Sequence, residues 1–212
     1  MALHVESFPV APLGCNCSIV ADLEAKVAIV VDPGGELPKI RARLEALGVV
    51  PTHVVHTHTH IDHVGATPGL VAAYGCTAQI HEADRPLYDM LPVQAAMLGI
   101  AMPETTHMDG ALRDGGTVNA GASELGVIHT PGHTPGSVCF LLTAGDDRVL
   151  FAGDTLFRRS IGRTDLWGGD SDLILSSIRE RILTLEGDTL VVTGHGPTTR
   201  VVDEREKNPF LR

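Results

Sequence analysis

The segment Thr57-His58-Thr59-His60-Ile61-Asp62-His63-Val64-Gly65 places three imidazoles and one carboxylate within six consecutive positions. Protonated together, these side chains would repel one another, and an apolar core has no use for them. Neutral imidazole nitrogens and a carboxylate oxygen are instead the donor set that a borderline divalent metal favours. The run is internal, framed by a β-branched stretch and a helical pattern, which separates it from a surface histidine tract. Three later features offer the same chemistry. His133 stands in the turn Thr130-Pro131-Gly132-His133-Thr134-Pro135-Gly136-Ser137, Asp154 directly follows Phe151-Ala152-Gly153, and His195 lies between Gly194 and Gly196. Each alone is a weak signal. Together they make seven ligand-type side chains at strand ends, where one rim can gather them.

The elements that must position them read as follows. Residues 16–22 and 26–32 are two strands about a polar turn, and Pro33-Gly34-Gly35 stops the second. Leu37, Ile40, Leu44 and Leu47 recur at helical spacing until Gly48. A strand over 53–57 leads into a loop over 58–65, a helix over 67–74 and a strand over 77–81. Residues 86–102 read as a Met-rich helical insertion, at about 84–104, packed on the rest. From Thr117 strands return, at 122–130, 137–143 and 149–152. A late helix carries Ile174, Ile178, Ile182 and Leu185 on one face, and a last strand over 189–193 runs into His195. No linker divides residues 1–212. Alternation of strand and helix in both halves predicts an α/β sandwich in a single domain, with loops at one rim.

Composition removes several alternatives. With 26 acidic and 16 basic residues the formal charge is −10, which disfavours nucleic acid as a partner. No apolar run approaches the ~20 residues of a membrane helix, and the N-terminus lacks the pattern of a signal peptide. Cys15, Cys17, Cys76 and Cys139 form no C-x-x-C pair and read as reduced core residues, which predicts a cytoplasmic protein. There is no G-x-S-x-G elbow, no phosphate-binding glycine loop and no activating base beside Cys17. That removes the serine-hydrolase and nucleotide-binding readings. His4, His53, His56, His81, His107 and His129 read as ordinary strand or loop residues.

The run His58-x-His60-x-Asp62-His63 followed by His133, Asp154 and His195 resembles the metallo-β-lactamase superfamily, over essentially the whole chain. The resemblance implies a four-layer αββα sandwich with a dinuclear site between the sheets. It implies that His58, His60 and His133 hold a first divalent ion, that Asp62, His63 and His195 hold a second, and that Asp154 bridges them. Zinc is the expected metal, with iron or manganese as alternatives. An aspartate in the bridging position sets the pattern apart from true β-lactamases.

Asn16-Cys17-Ser18-Ile19-Val20, Asp32-Pro33-Gly34, Gly153-Asp154-Thr155-Leu156-Phe157, Ile161-Gly162-Arg163-Thr164-Asp165 and Asn208-Pro209-Phe210-Leu211-Arg212 are similar to glyoxalase II-like hydrolases. This sequence departs from the longer members in stopping before their basic C-terminal helices and in carrying Arg163 where they carry lysine. The resemblance implies hydrolysis of glutathione thioesters such as S-lactoylglutathione, by a hydroxide shared between ions roughly 3.5–4 Å apart. Asp62 would help to orient that nucleophile, and the planar fork of Arg163 suits a substrate carboxylate. Persulfide dioxygenases resemble the same motif and use one iron on two His and one Asp, here His58, His133 and Asp154. A non-catalytic metal module or a nuclease is a third reading, opposed by the ligand number and by the lack of a basic stripe.

Overall fold

Period-two burial along the strands sets the layers of the computed structural model, which describes residues 3–145 and 147–212. The chain begins with β1 (Leu3–Val10), β2 (Cys15–Asp22), β3 (Val27–Val31), α1 (Leu37–Leu47), β4 (Val50–Val55), α2 (Ile61–Val64), α3 (Thr67–Tyr74) and β5 (Thr77–His81). It continues through α4 (Arg85–Asp89), α5 (Leu91–Leu98), β6 (Asp109–Leu112), β7 (Thr117–Ala120), β8 (Ser123–His129), β9 (Val138–Ala144) and β10 (Asp147–Gly153). The last part adds the small hairpin β11 (Leu156–Phe157) and β12 (Ser160–Ile161), then α6 (Ser171–Ser177), β13 (Leu190–Thr193), β14 (Thr199–Arg200) and α7 (Val201–Lys207). Two six-stranded sheets result, ordered β1-β2-β3-β4-β5-β6 and β14-β13-β10-β9-β8-β7.

Along β2, Cys15, Cys17, Ile19 and Ala21 meet Ile40 and Leu44 of α1 and Leu70 of α3. Val20, between them in sequence, turns instead into the space between the sheets with Ile29, Val31 and Val55. The second sheet repeats the division. Phe140, Leu142 and Phe151 point inward, whereas Cys139, Leu150 and Ala152 point outward onto Ile174, Ile178, Ile182 and Val201. Strands buried on both faces read as continuous apolar runs, as 27–31 does. Helices cover both outer faces, giving the four-layer αββα sandwich. The four cysteines are unpaired and buried in these layers.

Some elements differ from the sequence reading. β1 gives no clear strand signal because Pro9 interrupts it, yet it pairs with β2 through all eight residues. An edge strand tolerates proline because one side needs no ladder donor. The stretch 86–102 is two helices rather than one, parted at Met90, and α5 stops at Gly99, whose φ of 64° makes a left-handed cap. The loop 58–65 holds one helical turn, α2. α7 is seven residues long, too short to display a period. Its Glu204 is buried and accepts from the Thr199 hydroxyl at 2.6 Å and from Arg159 N at 2.8 Å.

One carboxylate ties together the loops that follow β4 and β8. Asp84, fully buried after β5, accepts from Thr59 N at 3.1 Å and the Thr134 hydroxyl at 2.9 Å through Oδ2. Through Oδ1 it accepts from Gly136 N at 2.6 Å. Replacing it with alanine leaves two buried amides and a hydroxyl without this acceptor. Asp84→Ala is therefore expected to cost about 3 kcal/mol or more in urea unfolding, and Asp84→Asn, whose NH2 must face the N–H of Thr59 or of Gly136, a substantial part of that. A loss below about 1 kcal/mol for the alanine variant would contradict this role.

Candidate metal centre

The seven singled-out side chains converge from four places on one rim. His58, His60, Asp62 and His63 follow β4, His133 sits between β8 and β9, Asp154 follows β10, and His195 follows β13. Asn16 at the start of β2 anchors the last of these, its backbone N donating to the Gly194 carbonyl at 2.7 Å and its amide to Thr193 O at 2.9 Å. Close approach explains two glycines of the motifs. A Cβ on Gly194 would run into Asp154 Oδ1, and one on Gly34 into the Asp62 carbonyl.

In the first cluster, His133 Nε2 lies 3.3 Å from His58 Nε2 and 3.0 Å from His60 Nδ1. His133 Nδ1 donates to the Arg163 carbonyl at 2.8 Å, which leaves Nε2 as the lone-pair nitrogen. Burial, reinforced by the neighbouring imidazoles, holds His58 well below its ordinary value and pushes His60 down to about 3. Three neutral rings thus aim nitrogens at one point with too few protons to bond them all.

The second cluster pairs carboxylates with imidazoles. His195 donates from Nε2 to Asp62 Oδ2 at 2.9 Å and from Nδ1 to Asp154 Oδ1 at 3.0 Å. The hydrogen bonds to Asp154 and Asp62 raise His195 to about 9. Burial opposes ionisation of Asp62, but His63 and His195 outweigh it and hold the carboxyl well below the usual range. His63 Nε2 lies 3.8 Å from Asp62 Oδ2 and 3.6 Å from Asp154 Oδ1, buried and without a hydrogen-bond partner. Asp154 Oδ2 faces the other cluster, 3.9 Å from His133 Nε2. Converging lone pairs, an orphaned imidazole nitrogen and two carboxylates around one ring fit a pair of divalent cations.

Asp32 orients one histidine of each cluster. His58 Nδ1 donates to the Thr57 hydroxyl at 3.1 Å, that hydroxyl donates to Asp32 Oδ2 at 2.6 Å, and His63 Nδ1 donates to the same oxygen at 3.1 Å. Thr57 N adds a bond to Asp32 Oδ1 at 2.8 Å. Each ring is thereby fixed with Nε2 turned to the centre. Asp32 holds a φ of 50°, a left-handed conformation that aspartate adopts more readily than most residues. Cys15 Sγ also lies 3.4 Å from His63 Nδ1, and burial pushes its thiol up to about 12, so it stays protonated.

Asp32 and Asp84 are the residues that sequence reasoning missed as supports, although both follow strands as Asp154 does. The other six histidines lie outside the ligand groups. Among them His56 is buried 4.0 Å from Asp32, and His81 stacks on His129 with ring centroids 4.2 Å apart. Arg163 reaches the mouth of the site, but its Nε and Nη2 donate to Asp165 at 2.7 and 2.8 Å.

A family model described as metallo-beta-lactamase superfamily matches residues 10–195. Hydroxyacylglutathione hydrolase GloC from Haemophilus influenzae is 36% identical over 211 residues, covering 99% of this chain and 98% of that protein. The mitochondrial persulfide dioxygenase ETHE1 of Homo sapiens is 30% identical over 208 residues, covering 94% and 73%. The crystal structure of BLEG-1 B3 metallo-beta-lactamase is similar with a TM-score of 0.90 at 34% identity, covering 98% of this chain and 99% of that one. The matched span includes most of the two sheets and all seven clustered side chains, and the chain belongs to the metallo-beta-lactamase superfamily.

Proposed function

We propose that this chain is a metal-dependent hydrolase of acyl thioesters, glutathione thioesters such as S-lactoylglutathione among them, releasing the acid and the thiol. The observation that carries the reading is the second ligand group. Asp62, His63 and His195 gather their donor atoms within 4.8 Å, as His58, His60 and His133 do. Similarity to GloC of Haemophilus influenzae supports the thioester class. In this reading His58, His60 and His133 would hold one ion, Asp62, His63 and His195 would hold the other, and Asp154 would serve both. Zinc is the first candidate, with iron or manganese as alternatives.

A bound pair of divalent ions supplies a water whose pKa falls from 15.7 towards ~7 and positive charge where the oxyanion develops. The chain's own residues do the rest. Asp62, kept ionised, accepts a hydrogen bond from the attacking water and fixes its direction. A carbon–oxygen bond forms at the acyl carbonyl and the carbon–sulfur bond breaks with its electron pair on sulfur. The departing thiolate, which leaves with little need of a general acid, takes up one proton of the attacking water through solvent, and the acid carries or releases the other. Asp32 and Thr57 keep His58 and His63 from turning.

Arg163 is the group we assign to a substrate carboxylate, and to take one it must release Asp165. An exposed pair of this kind is worth ~0–1 kcal/mol. Arg163→Ala is therefore expected to raise KM for S-lactoylglutathione by no more than about fivefold, with kcat little changed. A fall in kcat at constant KM would contradict that assignment.

A second reading, oxidation of glutathione persulfide at one iron on His58, His133 and Asp154, is favoured by the similarity to ETHE1. His195→Ala separates the two. For the hydrolase, metal content is expected to fall from two ions per chain to about one, and thioester hydrolysis about a hundredfold or more. A wild type holding one iron, with a variant that keeps it and still consumes oxygen with glutathione persulfide, would overturn the hydrolase. Cleavage of a β-lactam with no cleavage of any thioester would overturn it too.

A further inference from the structure

Resting on the thioesterase reading, we propose that the acyl group this site selects is an uncharged hydrocarbon chain. The floor of the site, with His60, Asp62, His133, Asp154 and His195, opens into a cavity of about 500 Å3, a size common for small-molecule sites. The walls above that floor are apolar. α5 contributes Val93, Met97 and Leu98, and Leu13, Leu166 and Trp167 supply much of the rest.

α5 carries apolar side chains on two faces. Leu91 and Ala95 are buried against Ile61, Ile80 and Met108. Val93, Met97 and Leu98 are 48%, 74% and 49% exposed. The outward face of a surface helix ordinarily carries charge, and an exposed apolar patch at the edge of a cavity marks a contact surface. Methionine suits such a wall because it adapts to chains of different shape.

Polar groups on the walls are already engaged. Gln94 Oε1 accepts from Ile61 N at 2.9 Å and its Nε2 donates to Leu87 O at 2.9 Å. Among the described residues lining the cavity, Arg163 is the one Lys or Arg side chain, and both oxygens of Asp165 hold it. A glutathione arm brings two carboxylates, and these walls give them little in return. A 2-hydroxyl on the acyl group meets no free partner on α5. Apart from the one weak contact assigned to Arg163, the thiol arm is left to solvent, and most of the affinity comes from removing acyl methylenes from water.

Trp167 is the chain's single tryptophan and lines the cavity, so its fluorescence reports occupancy. Metal-loaded protein is titrated with S-methylglutathione and S-hexylglutathione, thioethers that cannot be hydrolysed. The hexyl compound is expected to bind at least tenfold more tightly. In parallel, kcat/KM for S-hexanoylglutathione is expected to exceed that for S-lactoylglutathione at least tenfold. Val93→Asp and Met97→Glu, both at exposed positions, should each shrink the two ratios below threefold. Equal affinity for the two thioethers overturns the inference whatever the rates, and so does a hexyl preference that both variants leave intact. Preferential hexyl binding with no thioester cleaved would remove the thioesterase reading and leave the apolar ligand class standing.

Discussion

Through Oδ2, the Asp32 carboxylate receives the Thr57 hydroxyl at 2.6 Å and His63 Nδ1 at 3.1 Å, while the same hydroxyl receives His58 Nδ1 at 3.1 Å. An imidazole has two nitrogens and a soft ring torsion, so a donor cluster built from histidines is only as well defined as the partner of each remote nitrogen. Here one buried carboxylate settles that for a ring in each cluster. Hydrogen bonds to a charged group contribute about 1.5–3 kcal/mol each. That is enough to outweigh the ~1–3 kcal/mol of a strained backbone, which accounts for a non-glycine residue at a φ of 50° between β3 and α1.

The rest of the fold brings the loops to that carboxylate. The parallel pairs β3–β4 and β10–β13 end on one rim, and their short exits carry Asp32, the His58 run, Asp154 and His195. Asn16 stitches the start of β2 to the loop after β13. Asp84 does the same between the His60 and His133 loops. All of these ties but the one from the Thr134 hydroxyl end on a backbone amide or carbonyl, so they fix the chain path rather than a single rotamer. Both sheets are buried on two faces, and a packed sandwich of that kind gives the rim a rigid base.

The candidate ligands were legible in sequence because neutral imidazoles and carboxylates at that density have few other uses. The central strands were legible because burial on both faces leaves an unbroken apolar run, as in Val27–Val31. Asp32 and Asp84 were not legible as supports. A lone aspartate after a strand looks like any turn residue until Thr57, 25 positions away from Asp32, folds onto it. β1 was hidden by Pro9 and by its exposed face, and α7 by its length. The Met-rich character of 86–102 was visible, but whether those side chains packed inward or faced a cavity depended on how α5 lies over the site. The fork of Arg163 was likewise visible, whereas its closure on Asp165 is a matter of a two-residue turn.

That two separate ions sit in the two ligand groups is the claim on which the chemistry rests. Anomalous diffraction at the zinc edge, from crystals of zinc-loaded protein, examines it most directly. Two peaks are expected, one within bonding distance of His58, His60 and His133, the other of Asp62, His63 and His195, with Asp154 touching both. A single peak on His58, His133 and Asp154, with His195 left hydrogen-bonded to Asp62 and no density on His63 Nε2, would contradict it.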